Sequence, residues 1–160
     1  MIFAVEGHIQ MIRNGLFWYD GIDRPDWSLQ EIKRYHMHRA QFLANMPDIS
    51  KEVKDGLHPL IVKTQTRRLN RGIYSVGKDY AVQRKRGVKA EPDIRIVMDA
   101  IWEEKERHGW RPYIKKSAAW AEGGYTPSEY EKLFRELNPK WDGRNRWAFK
   151  FHVIEVQRKR

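Results

Sequence analysis

The sequence predicts a single small α+β domain, a mixed β-barrel decorated by helices. Two strand patterns carry this prediction: residues 94–98 alternate in a strand-like way, and residues 147–156 are rich in aromatic and β-branched side chains. A capping box at residues 126–129, with proline at the first helical position, predicts a helix between those strands. Strand–helix–strand repetition is absent from the sequence, so a parallel sheet is not indicated.

The first sixty residues read as a short strand followed by helices. Residues 2–5 suit a buried strand, and residues 8–14 a short helix that Gly15 ends. A second capping box at residues 28–31 predicts a helix that runs to about Met46, before Pro47. Residues 50–56 resemble one more helical turn.

From Pro59 onward the pattern favours strands. Residues 60–67 alternate, residues 72–74 form a short apolar segment, and residues 77–80 resemble a turn that enters a strand at Ala81. Residues 100–108 could extend the strand at 94–98 or form a helix, and the pattern leaves both open. The helix predicted from Thr126 and the strand at residues 147–156 complete the domain.

Composition limits the class of protein. A chain of 160 residues with 41% hydrophobic side chains can pack one core, so we expect one domain over residues 1–160. No cysteine is present, which excludes disulfides and thiolate chemistry and suits the cytoplasm. Neither an export signal nor an apolar run of about 18 residues is found, so we expect a soluble protein with no membrane partner.

Positive charge is concentrated in one stretch of the chain. Residues 63–89 contain nine Lys or Arg and one acidic residue, Asp79, and so contribute eight of the ten net positive charges. Such a local field suits an anionic partner, RNA or DNA. The stretch opens with short hydroxyl side chains between cationic ones, at residues 63–68, which suit phosphate, ribose or an amide carbonyl.

Three features together resemble the ASCH family, which is related to PUA domains. They are the short helix ending at Gly15, the Lys-Thr-x-Thr motif that begins at Lys63, and residues 121–127 before a helix and an aromatic closing strand. The resemblance covers residues 1–15 and about 60–156. It implies a small PUA-like β-barrel with a cleft that recognises RNA or a nucleoside. About 45 residues separate the first helix from the motif, so residues 16–59 are interpreted as a helical insertion.

The resemblance also implies candidate catalytic residues. Some members of the family hydrolyse N4-acetylcytidine, and the matching positions of this sequence are Lys63, Thr66 and Glu122. The chemistry is coherent, because a threonine hydroxyl needs a base and a desolvated lysine can have a pKa low enough to serve. Glu122 could pass a proton to the leaving amine.

A wider set of residues is predicted to bind nucleic acid or a nucleoside in the cleft, with cations on phosphates and two aromatic rings stacked on a base. These candidates are Lys63, Thr64, Thr66, Arg67, Arg68, Arg71, Lys78, Trp120, Glu122 and Tyr125. The run at residues 84–86 suits a solvated hairpin tip equally well.

We expect no metal and no cofactor. His36 and His38 fall in a helical pattern that separates their side chains by about 200°, and the aspartates at positions 20, 23 and 26 suit turn chemistry. No phosphate-binding glycine loop or zinc signature is present.

Three functional hypotheses follow. The first is a domain that binds RNA or a modified nucleoside through the basic cleft, and the second is an amidohydrolase that uses Lys63, Thr66 and Glu122. The third is a protein-interaction module with a vestigial cleft, in which the insertion contacts a partner. The aromatic group of the insertion could either anchor it on the barrel or form a contact surface for a partner; it consists of Phe17, Trp18, Tyr19 and Trp27.

Overall fold

The structure, a computed structural model, describes residues 1–18 and 62–156. Within these ranges it contains three helices and four strands, which confirms the mixed α+β class. In chain order the elements are α1 (His8–Trp18), β1 (Gln65–Arg68), β2 (Asp79–Ala81), β3 (Ile94–Lys105), α2 (Lys116–Gly123), α3 (Pro127–Leu137) and β4 (Asn145–Glu155).

The four strands form one curled antiparallel sheet in the order β1-β4-β3-β2. Strands β3 and β4 pair along their whole length, from Ile94 opposite Glu155 to Lys105 opposite Asn145. The register shifts between Met98 and Ala100, where an extra residue locally increases twist. A curled antiparallel sheet is compatible with a small barrel, and the more specific PUA-like assignment remains a prediction.

Several element boundaries differ from the sequence prediction. Residues 2–5 do not form a strand, because only Ile2 bridges Gln83. Residues 72–74 lie in turns. Of the strand predicted at 60–67, residues 62–64 have no regular structure and β1 begins at Gln65, while residues 60 and 61 lie outside the described residues. Residues 100–105 continue β3 as strand, which settles the alternative left open by the sequence.

Gly15 does not end α1, which continues to Trp18. A β-carbon at this position would lie 2.8 Å from Cγ1 of Val153, on strand β4. The glycine therefore permits a close approach between helix and sheet, and its role here is packing rather than termination.

Two apolar clusters form the core of the described residues. The larger lies between α1 and the sheet and includes Ile12, Ile96 and Phe149, all fully buried. The smaller lies under α2 and α3 around Ile114 and Phe134. No described helix has the length and apolarity needed to cross a membrane.

Helix α3 begins as its capping box predicts. The Thr126 hydroxyl accepts a hydrogen bond from the Glu129 backbone amide at 3.3 Å, and Pro127 follows the cap. Helix α2 was not predicted. It ends at Gly124 in the left-handed conformation, φ 79°, with the Gly124 amide bonded to carbonyls of the last turn.

Several sequence predictions lie outside the described residues. These are the helices at 28–46 and 50–56, the histidines at 36 and 38, the aspartates at 20, 23 and 26, and most of the aromatic group and the insertion.

Candidate ligand pocket

A cavity of about 240 Å³ lies between the N-terminal segment, β1, the end of α2 and α3. Its walls bring together five of the ten predicted site residues: Lys63, Thr66, Arg67, Arg68 and Glu122. Apolar side chains from α3 and from Ile2 and Phe3 complete the lining. The cavity thus combines a few polar groups with an apolar wall, as ligand sites commonly do.

Lys63 is buried in the wall of this pocket, with only 2% of its surface exposed. Its Nζ lies 3.2 Å from Oε2 of Glu122 and also donates to the Glu122 backbone carbonyl. Burial lowers the pKa of Lys63 to about 8, against the opposing effect of the Glu122 carboxylate. At pH 7 the amine is therefore mostly protonated, and about a tenth of it is neutral.

Glu122 reaches the pocket from the last turn of α2. The Thr64 amide donates to the Ala121 carbonyl at 2.9 Å, which ties this turn to the chain just before β1. The following residue, Gly123, has φ 149°, and a β-carbon there would lie 3.1 Å from Nε2 of His8. The positive φ and this close approach favour glycine where α2 meets α1, directly after Glu122.

The Glu122 carboxylate joins two cations. Oε2 faces Lys63, and Oε1 accepts a hydrogen bond from Nη1 of Arg67 at 3.1 Å. All three side chains are at most 2% exposed, so the charges interact with little screening by water.

The ion pairs continue away from the pocket into a buried charge network, which we define as Lys63, Arg67, Arg146, Glu104, Glu122 and Glu131. Arg67 donates twice to Glu104, at 2.9 and 3.2 Å, and Arg146 donates to the same carboxylate at 2.8 Å. Burial opposes ionisation of Glu104, but the two arginines outweigh it and lower its pKa.

At the far end of the network, Arg146 makes a bidentate contact with Glu131, at 2.6 and 3.0 Å. Glu131 also accepts the Ile114 amide at 2.9 Å. The side chain of Arg146 is fully buried and lies 4.9 Å from the centre of the Phe134 ring. Each carboxylate of the network therefore has cationic partners, as buried charges require.

Arg67 belongs to this network and is only 5% exposed. The sequence predicts it as a phosphate ligand, but its guanidinium is occupied by Glu104 and Glu122 and by the Gln65 amide oxygen at 3.2 Å. The pKa of Arg67 is raised, because these partners outweigh its burial.

Arg68 differs from its neighbour, because no carboxylate pairs with it among the described residues. Its Nη2 donates to the Ile2 carbonyl, and its guanidinium carbon lies 5.4 Å from the centre of the Phe3 ring. Its Nε is buried without a hydrogen-bond partner in the described part of the chain. Burial lowers the pKa of Arg68. An unused buried donor is costly, and a ligand acceptor could satisfy it.

Thr66 is 5% exposed and lines the same pocket. The described residues provide no hydrogen-bond partner for its hydroxyl, which leaves the oxygen available to a ligand. Thr64, two residues earlier, is half-buried and does not line the cavity.

The two predicted stacking residues lie outside the pocket lining. Trp120 is half-buried on α2, and Tyr125 donates to or accepts from Nε2 of His8 at 2.7 Å. Burial raises the pKa of Tyr125 to about 12. Arg71 and Lys78 are exposed and also outside the lining, and the Arg71 guanidinium lies 6.0 Å from the Trp147 ring centre.

Two pocket residues escaped the sequence analysis, His8 and Tyr130. His8 lies in the predicted first helix, and Tyr130 lies in the helix predicted from Thr126, on the same face as Leu133, Phe134 and Leu137. Burial and the nearby Glu122 raise the pKa of Tyr130 well above its usual value, which keeps the phenol protonated. A tyrosine on an otherwise apolar helix face was the available signal.

No group of three or more metal-binding side chains occurs within residues 1–18 and 62–156. Comparison with protein-family models, with curated proteins and with solved structures found no match.

Proposed function

We propose that the protein is an amidohydrolase that removes the acyl group from N4-acetylcytidine-type nucleosides. The observation that carries the proposal is the buried Lys63–Glu122 pair at 3.2 Å in a pocket that Thr66 also lines. Three residue types with complementary roles in amide hydrolysis therefore share one cavity. The resemblance to the ASCH family supplies the nucleoside substrate class.

In the proposed reaction, neutral Lys63 takes the proton of the Thr66 hydroxyl as its oxygen attacks the acyl carbonyl. The lowered pKa of Lys63, about 8, supports this role, because a base works best when its pKa lies near the working pH. The attack forms a tetrahedral intermediate that carries negative charge on the former carbonyl oxygen. The unused donor of Arg68 suits the stabilisation of such an oxygen.

Collapse of the intermediate breaks the carbon–nitrogen bond. The proton on Lys63 passes through Glu122, its hydrogen-bond partner, to the departing exocyclic amine, and cytidine leaves. Water then attacks the acyl-threonine ester with Lys63 again as base. Acetate is released, Thr66 regains its proton, and one water is consumed per amide cleaved.

The test is to follow deacetylation of N4-acetylcytidine chromatographically with the wild type and two pocket variants. Thr66→Val removes the nucleophilic oxygen at nearly constant shape, and Lys63→Met removes the base. We expect each to lower kcat by at least about 100-fold, the lower range for loss of a general base. Thr64→Val is the matched control, since Thr64 does not line the cavity.

Wild-type turnover that Thr66→Val leaves intact would contradict the nucleophile assignment. If the wild type binds N4-acetylcytidine but releases no acetate, hydrolysis is ruled out and the binding hypothesis replaces it.

The alternative is a domain that binds RNA or a modified nucleoside without turnover. It is favoured by the exposure of the cations that follow β1, which are Arg71, Lys78, Arg84, Lys85, Arg86 and Lys89. A phosphate-binding rim makes affinity fall steeply with salt, whereas a free nucleoside has no phosphate to hold. Measuring the affinity of an RNA containing the modified base at several salt concentrations separates the two. Arg71→Ala reduces the salt slope by about 1 if the rim is used.

A further inference from the structure

The chain beyond β3 forms a tight hairpin that projects a tryptophan into solvent. Arg107 and Trp110 pair as an isolated antiparallel bridge, with backbone N···O distances of 3.1 and 2.9 Å. His108 and Gly109 occupy the two turn positions with φ 52° and 78°, both in the left-handed region. Positive φ at both positions is typical of a type I′ turn, which holds the flanking residues in fixed register.

Trp110 is 80% exposed. The other tryptophans whose side chains the structure describes, at positions 102, 120, 141 and 147, are all half-buried. Within the described ranges, no aromatic ring or cation stacks on its indole. Tyr113, three residues later, is 63% exposed. A large indole that a defined turn holds in water, with no partner among the described residues, points to a surface that binds another molecule.

The sequence around this indole is basic, and the cavity beside the turn at His108 and Gly109 is lined by both acidic and basic residues. Residues 105–116 contain five Lys or Arg and a single acidic residue, Glu106, whose carboxylate faces Arg144 at 3.8 Å. Arg107 is the cross-strand partner of Trp110, and paired residues of an antiparallel bridge place their side chains on the same face. The exposed Arg107 side chain therefore lies on the same face of the hairpin as the indole. We call Arg107, Trp110, Arg111, Tyr113 and Lys115 the hairpin surface.

We propose that the hairpin surface binds single-stranded nucleic acid. A base stacks on the exposed face of Trp110, and phosphates of the same strand contact Arg107 and its basic neighbours. This combination of a stacking ring and flanking cations is how proteins hold unpaired strands without reading sequence. A duplex offers its phosphates but not its base faces, so the aromatic ring favours an unpaired strand.

This site is separate from the ligand pocket, because none of its residues lines that cavity. It also differs from the basic stretch at residues 63–89 that the sequence singles out. The proposal does not rest on the hydrolysis of nucleosides, and either can fail without the other.

The test uses the full chain and fluorescence anisotropy with labelled oligouridylate and oligothymidylate of about 16 nucleotides, the upper end of common site sizes. We expect Trp110→Ala to weaken both by roughly tenfold, the loss of one stacked base. Trp110→Phe retains part of the affinity, because a ring remains. Arg107→Ala lowers the salt slope by about 1. Ile73→Ala is the matched control, since Ile73 is 87% exposed and lies outside the hairpin surface.

Comparing the affinities for oligouridylate and oligothymidylate shows which sugar the site prefers. The proposal holds even if Trp110→Ala weakens binding of one oligonucleotide more than the other. It is overturned if the wild type binds neither oligonucleotide at low salt, or if Trp110→Ala binds as tightly as Ile73→Ala. Equal wild-type affinity for a duplex also overturns it. Analytical sedimentation of the same variants tests whether the hairpin surface instead mediates self-association. If Trp110→Ala abolishes self-association and leaves oligonucleotide affinity unchanged, the surface joins two copies of the chain.

Discussion

At the scale of single residues, burial decides what the cations of the Lys63–Arg68 segment can do. The two adjacent arginines of this segment differ in their hydrogen bonding. Arg67 pairs with two carboxylates, whereas the Nε of Arg68 has no partner among the described residues. Lys63 is held between these extremes by a single carboxylate. The sequence shows three similar positive charges. In the fold Lys63 is a candidate base, Arg67 is part of the buried ion pairs, and Arg68 has one donor without a partner among the described residues.

The titration of Lys63 gives a prediction for the proposed hydrolase. Burial lowers its pKa from 10.5 to about 8, so the neutral form that acts as base increases as pH rises toward that value. We expect kcat/KM for N4-acetylcytidine to rise about tenfold per pH unit below pKa and to level off above it. A pH–rate profile measures this. A profile that is flat through this region would show that Lys63 is not the base.

The same lowered pKa has a consequence for stability, with the same sign as for a carboxylate whose pKa is lowered by folding but in an alkaline range of pH. Between about pH 8 and 10.5 the unfolded lysine binds a proton that the folded one has lost, so stability due to this group rises with pH across that window. Well below pH 8 the group is protonated in both states and contributes little pH dependence. The difference between wild type and Lys63→Met in urea unfolding at several pH values isolates this effect. An equal pH dependence in both proteins contradicts it.

At the scale of elements, the helices and strands that could be predicted are those with a local sequence signal. Helix α3 has its cap, its proline and an apolar face, and strand β4 has a continuous aromatic and β-branched run, so both were predicted close to their observed bounds. Helix α2 lacks such signals, because its N-cap residue, Lys115, makes no side-chain capping bond. Contacts with the chain before β1 and with α1 hold α2 in place, and these contacts cannot be read from the local sequence.

The cap of α3 can be tested directly. Thr126→Ala removes the acceptor of the Glu129 amide, and we expect it to reduce the free energy of unfolding by about 1 kcal/mol. Thr126→Ser, which keeps the hydroxyl, should retain most of the stability. Urea denaturation of the two variants checks the prediction, and equal losses in both would mean that the hydroxyl bond contributes little.

At the scale of the whole molecule, the buried charge network is the feature that sequence reasoning missed most completely. Lys63 and Glu122 were singled out for chemistry, while Glu104, Glu131 and Arg146 were not singled out at all. They belong to charged or amphipathic stretches whose residues are usually solvated. Their burial arises only when β1, β3, β4, α2 and α3 assemble, because each of these elements contributes at least one charge.

We expect the buried charge network both to stabilise the fold and to position the charged side chains of the pocket. Glu104 holds Arg67 from the sheet side, and Arg67 in turn holds Glu122 beside Lys63. Arg146 secures Glu104 and connects the sheet to α3 through Glu131. Loss of Arg146 would therefore affect the pocket through the contacts that follow it, from Glu104 to Arg67 and from Arg67 to Glu122.

Arg146→Met tests this connection. It leaves Glu131 without its cationic partner in a buried site, and we expect a loss of about 3–5 kcal/mol in the free energy of unfolding, the usual cost of breaking a buried pair. The double variant Arg146→Met/Glu131→Gln should recover part of that loss, because no uncompensated charge remains there. Arg144→Met is the matched control, because Arg144 is exposed and its ion pair with Glu106 is long, at 3.8 Å. Its effect on the free energy of unfolding should stay within about 0.5 kcal/mol. A loss in Arg146→Met no larger than in Arg144→Met would mean that assembly of the domain does not depend on the network.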